Sequence, residues 1–191
     1  MVADGDLFKA IREGRASMAT DQIATFTERG IQLVSGEVLE ADLIVTATGL
    51  KLKFLGGMEV VVDGKKVEPA KTMAYKGMMI SDVPNLALAI GYTNASWTLK
   101  VDLTCEYVCR LLNHMDAKGY TTCVPRRRDP SVKEEPLLDF SSGYVRRAVD
   151  AFPRQGSIAP WKLHQNYAFD MMQLRHSPLE DGTMEFTTAR R

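Results

Sequence analysis

The 191 residues carry no excess of either charge: lysine plus arginine and aspartate plus glutamate number 24 each. No overall field therefore recruits nucleic acid, an anionic membrane or an acidic substrate, and any partner must be recognised locally. Cysteine is scarce. Cys105, Cys109 and Cys123 are an odd number in a chain without a secretory apolar segment, which argues against a disulfide framework and suits a cytoplasmic location. Apolar runs stop at about five residues, far below the roughly 18 of a membrane span. His114, His164 and His176 lie far apart and lack partners at ligand spacing, so no metal is expected. No two of the 14 glycines are separated by a single residue. The G-x-G-x-x-G loop that opens a dinucleotide site is therefore missing.

What is present is an ordinary globular composition, 45% apolar and 25% charged, enough for one sizeable core or two small ones. Asp4-Gly5-Asp6 ahead of Leu7, Phe8 and Ile11 predicts a short capped helix that Gly14 ends. Ile23 to Phe26, Ile31 to Leu33 and Val38-Leu39, separated by turn residues, predict an antiparallel meander. Leu43-Ile44-Val45 and Leu86 to Ile90 are consecutively apolar and end at Gly49 and Gly91, the pattern of parallel strands covered on both faces. Ligands lie at the carboxyl ends of such strands, although a strand running into a tight turn reads the same way around Gly49. Asp63-Gly64 between two valine- and lysine-rich runs predicts a two-residue hairpin.

The strongest helical pattern follows Tyr92-Thr93-Asn94-Ala95-Ser96: Trp97, Val101, Cys105, Val108, Leu112 and Met115 recur at helical spacing as far as Gly119. On that reading Cys105 and Cys109 are buried thiols and Glu106 pairs with Arg110. The free N–H groups at the start of this helix form a positive pole suited to an anion or an electron-rich ring edge. Two further helices are expected over 144–152 and 163–175, and Arg126-Arg127-Arg128 reads as a solvated run, with contact to a phosphate as the alternative.

These segments carry a resemblance. Leu43 to Gly49 is similar to the A-T-G signature of flavin-containing and Baeyer-Villiger monooxygenases, and Gly91 to Leu99 resembles the flavin-facing turn of their ethionamide-activating branch. Met73 to Met79, Gln155-Gly156-Ser157, Pro160-Trp161 and Gln165-Asn166-Tyr167 also resemble that branch. The implied fold is α/β, the C-terminal part of a flavoprotein with two dinucleotide-binding domains: incomplete Rossmann-like sheets, an antiparallel meander and a helical C-terminal lobe. Residues 1–50 would end the NADPH domain, 51–119 would close the FAD domain around an inserted hairpin, and 120–191 would form the lobe. The resemblance implies FAD and NADPH as cofactors and oxygenation of ketones, thioethers or thioamides with molecular oxygen.

By the same resemblance Thr48, Gly49, Gly91, Tyr92, Thr93, Asn94 and Ser96 would face the cofactor. Thr93 and Asn94 would hydrogen-bond there, unless Asn94 serves only as a helix cap. Tyr75, Trp161 and Tyr167 would line the substrate side, with core packing as the alternative for each. The family's glycine-rich loops and the arginine that serves its oxygen chemistry belong to earlier sequence. The expectation is a truncated gene, a split frame or a misassigned start, with poor solubility or dependence on a partner fragment. A non-catalytic remnant or interaction module is the rival reading.

Overall fold

A computed structural model describes residues 3–138 and 142–188. The chain is mixed α/β, with small antiparallel sheets and four α-helices among the described residues, and it divides into two compact units, 1–48 and 49–191.

In the first unit, α1 (Asp6–Arg12) is followed by β1 (Ile23–Thr27), β2 (Gly30–Leu33) and β3 (Val38–Glu40), an antiparallel sheet in the order β1-β2-β3. This is the expected meander. Gly30 is required by close approach, since a Cβ there would fall 3.0 Å from the Glu40 backbone on the facing strand. Of the apolar side chains in the sheet only Leu33 is buried.

Two expected strands do not form. Residues 43–50 are exposed and hydrogen-bond in no ladder, and 86–91 belong to no sheet. A strand apolar on both faces is stable only when neighbouring strands satisfy its edges and layers cover its faces. Among the described residues none does so. Leu86, Leu88 and Ile90 are half-buried while Ala87 and Ala89 are exposed, so only one face of the second segment is covered.

In the second unit β4 (Val61–Val62) and β5 (Lys65–Lys66) form the expected hairpin, with Asp63 and Gly64 at φ 49° and 75°. A second hairpin joins β6 (Ala74–Tyr75) to β7 (Met79–Ile80) through Lys76, Gly77 and Met78, the first two left-handed at φ 51° and 72°. Next come α2 (Trp97–Lys118), β8 (Thr122–Pro125), β9 (Glu134–Pro136) and α3 (Gly143–Arg146). They are followed by β10 (Arg154–Gly156), α4 (Tyr167–His176) and β11 (Met184–Thr187). Antiparallel pairs β8–β11 and β9–β10 frame the unit. Its core gathers Met73, Tyr75, Met78 and Met79 from the β6–β7 segment, Leu103, Tyr107, Leu111 and Met115 from α2, and Trp161 and Leu174.

Of the expected stripe on α2 only Met115 is buried, and the covered face lies to one side of it. Leu103, Tyr107, Leu111 and Met115 are covered, whereas Trp97, Cys105, Cys109 and Leu112 are exposed. The helix carries two apolar stripes, and α4 packs against only one of them. Glu106 does not pair with Arg110. It takes Arg175 of α4 in a two-pronged contact at 2.5 and 2.8 Å. Arg110 instead donates to the carbonyls of Leu174 and Ser177, satisfying the open C-terminal end of α4. The predicted helix over 144–152 breaks into α3 and a 3-10 turn at Val149–Ala151. The predicted helix from Leu163 begins only at Tyr167, because Gln165 is left-handed (φ 51°) and Asn166 caps the amide of Phe169 at 3.1 Å.

Candidate functional site

The turn 91–96 sits where the segment 86–90 meets α2, and close packing fixes its first residue. A Cβ on Gly91 would lie 2.5 Å from Cα of Trp97. No rotamer change relieves an overlap with backbone, so glycine is required here even though its φ is unremarkable. Ser96 occupies the N-cap position of α2, yet its side chain makes no capping bond; its hydroxyl pairs with Thr98 at 2.8 Å. The first amides of the helix thus remain free of side-chain acceptors at this end.

Tyr92, Thr93 and Asn94 are each tied to the segment 165–170. The Tyr92 hydroxyl donates to Asp170 Oδ2 at 2.7 Å, and Lys100 Nζ, one turn into α2, reaches the same oxygen at 2.9 Å. Both members of the Lys100–Asp170 pair are buried. Burial pushes the Lys100 ammonium below its usual range, against the pull of Asp170, and burial with the Asp170 bond pushes the Tyr92 hydroxyl up. Thr93 donates its amide to Gln165 Oε1 at 3.0 Å and its hydroxyl to the same atom at 3.2 Å, while Asn94 Nδ2 donates to the Gln165 carbonyl at 3.1 Å. Asn94 is therefore a cross-link to another segment and not a helix cap.

The turn borders an apolar cavity of 570 Å³ whose walls include Phe54, Leu88, Ile90, Trp97, Leu138 and Tyr144. Gly91 and Thr93 contribute to its rim. Gly49, left-handed at φ 89°, lies behind the same wall, since a Cβ there would meet Tyr144 Cδ1 at 3.4 Å. Thr48 is the last residue of the other unit.

The aromatic residues expected on the substrate side, Tyr75, Trp161 and Tyr167, do not line this cavity. Tyr75 is fully buried: its hydroxyl donates to Asp181 at 2.6 Å and lies 3.3 Å from that of Tyr107, and its ring meets Trp161 edge-on at 5.7 Å. Trp161 is packed over Gly156, and neither ring lines the 570 Å³ cavity. Tyr167 is partly exposed at the first position of α4. Tyr75 and Trp161 belong to the hydrophobic core of the second unit. The Arg126–Arg128 run is answered by carboxylates: Arg126 by Asp82 at 2.9 Å, Arg127 by Glu134 at 2.5 Å and Arg128 by Glu185. Among the described residues no group of three or more His, Cys, Asp or Glu could hold a metal, and no helix is long and apolar enough to cross a membrane.

Gln165, Asp170 and Lys100 do not stand out in the sequence as site residues. Lys100 had a signal: it falls on the Leu103-Tyr107-Leu111 stripe, where a cation needs a buried partner. Gln165 had none beyond its place in a segment similar to known proteins.

A glycine-pinned turn, a helix start with free amides and an adjoining apolar cavity together suit a small ligand with an apolar body and an electron-rich edge. Over essentially its whole length the chain is homologous to FAD-containing monooxygenases. It is 49% identical over 190 residues to the FAD-containing monooxygenase EthA of Mycolicibacterium smegmatis, which covers all of this chain and 39% of that relative. It is 51% identical over 188 residues to the probable FAD-binding monooxygenase AlmA of an Acinetobacter species, 97% of this chain and 38% of the relative. It is 49% identical over 189 residues to the putative FAD-containing monooxygenase MymA of Mycobacterium tuberculosis, 98% of this chain and 38% of the relative. The chain thus spans about two-fifths of the length of these relatives. No family model matches it.

Proposed function

We propose that this chain supplies one wall of the FAD site of a monooxygenase, corresponding to the C-terminal part of its relatives. The carrying observation is the turn 91–96 between the apolar cavity and the start of α2, in a chain about half identical to FAD-containing monooxygenases. The cavity and the helix start fit the ring system of the cofactor: apolar walls cover its faces, and the free amides favour the negative charge that gathers at its pyrimidine edge on reduction. The pyrophosphate is not accommodated by any glycine-rich loop of these 191 residues. That part of the grip, and the binding of NADPH, fall to sequence that the relatives possess and this chain does not match.

On this reading 1–50 ends an NADPH-binding domain, 51–119 closes the FAD domain and 120–191 is the lobe that braces it. The bound flavin would supply oxygen transfer to a ketone, thioether or thioamide at the expense of NADPH. Gly91, Thr93 and Trp97 would orient its edge, and Gly49 and Tyr144 would back the wall behind it.

Titration of the purified chain with FAD, followed by flavin fluorescence and by the emission of Trp97 and Trp161, tests the reading. Saturable quenching of both is expected. Unchanged flavin emission with an intact fold would instead identify a folded remnant that does not bind the cofactor by itself.

A further inference from the structure

The turn 91–96 does not hold its own shape. Its three central residues spend their polar groups on a segment more than 70 positions away: Tyr92 on Asp170, and Thr93 and Asn94 on Gln165. We propose that Gln165 is a positioning residue for the flavin-edge turn, through which the C-terminal lobe sets where the start of α2 points. The proposal rests on the flavin reading given above.

The geometry is that of a clamp. Gln165 Oε1 accepts two donors from one residue, the amide and the hydroxyl of Thr93, while its backbone carbonyl accepts the side chain of the next, Asn94. One residue thus fixes both the backbone and the side-chain direction of the turn. To present both acceptors on one side it adopts a left-handed conformation at φ 51°, which costs a non-glycine residue about 1 kcal/mol and recurs where surrounding structure overrides local preference. The clamp is itself held on both sides. Upstream, Gln155 Oε1 of β10 accepts the amide of Leu163 at 3.0 Å; downstream, Asn166 caps α4, which carries Asp170 to Tyr92. Gln165 also lines a smaller cavity with Leu88, Ile90, Gly91 and Leu163, so the clamp stands beside the groups it aligns.

A purely structural role would stabilise the fold and leave the ligand indifferent to the side chain at 165. A positioning role separates the variants. Gln165→Leu keeps the bulk and removes Oε1; Gln165→Glu keeps an acceptor for both Thr93 donors. In the full 191-residue chain, Gln165→Leu is expected to speed amide exchange at Thr93 about tenfold while amides within α2 keep their protection. With FAD as the probe, Gln165→Leu weakens binding about fivefold and moves the flavin midpoint potential, and Gln165→Glu restores affinity to within about twofold. Unaltered exchange at Thr93 would overturn the clamp. Faster exchange at Thr93 with unaltered FAD affinity and potential would overturn positioning alone. A wild-type chain that leaves FAD fluorescence unchanged would sink the flavin reading and the proposal with it.

Discussion

Single atoms decide much at Gly91. With Cα of Trp97 2.5 Å from the site of a missing Cβ, even one methyl group displaces the first turn of α2 or the segment before it. Gly91→Ala is expected to cost about 1–3 kcal/mol, the usual penalty of overpacking, read as a lowered urea midpoint. Gly64 behaves differently: nothing lies within 4 Å of a Cβ there, so its glycine answers only to its φ of 75°. The Asp-Gly dipeptide announced that second case in the sequence. The first was legible only as a strand ending, because a packing requirement at ordinary φ leaves no local signature.

Among the elements, α2 shows how far periodicity reaches. Its length, its Gly119 stop and its helical character all follow from the sequence; the choice of face does not. Trp97, Val101, Cys105, Val108, Leu112 and Met115 form as good a stripe as Leu103, Tyr107 and Leu111 with the same Met115, and only the partner decides between them. Here the partner is α4, aligned by the Glu106–Arg175 contact and by Arg110 on its last carbonyls. Leu103→Ala should therefore cost about 2–5 kcal/mol, and Leu112→Ala less than about 0.5 kcal/mol, in parallel urea titrations. Equal losses would mean that both stripes are buried in solution. The two segments expected to be strands failed for a related reason. A run such as Leu43-Ile44-Val45 encodes burial on both faces, but among the described residues no layers bury it. The meander and the Asp63-Gly64 hairpin are satisfied locally, and they form.

At the scale of the molecule the second unit is tied together by buried charge. Lys76, at the tip of the β6–β7 hairpin, lies 3.1 Å from Asp181, which also accepts from Tyr75 and from the amides of Thr183 and Met184. Burial opposes the charged Asp181 carboxylate, but these bonds and Lys76 outweigh it and hold the group below its ordinary 3.8. A depressed carboxyl contributes stability that is complete above the unfolded value and is lost as pH falls through the folded one. Wild type should therefore exceed Asp181→Asn in urea midpoint by a constant margin above about pH 5, and the margin should shrink below 3.8. Lys76 acts at the other end: burial depresses it, so its contribution rises as pH climbs toward its ordinary 10.5. Tyr107, pushed up to about 12 first by burial, stays neutral throughout.

The lysine at that hairpin tip also bears on how locally the turn is stabilised. A two-residue left-handed turn is ordinarily filled by asparagine and glycine and closes within microseconds from local preference alone. With Lys76 at the first position, the tip gains its counter-charge only when Asp181 arrives from near the other terminus. A short turn is thereby tied to a carboxylate about a hundred positions further along the chain, so its full stability depends on a contact that only the folded second unit supplies.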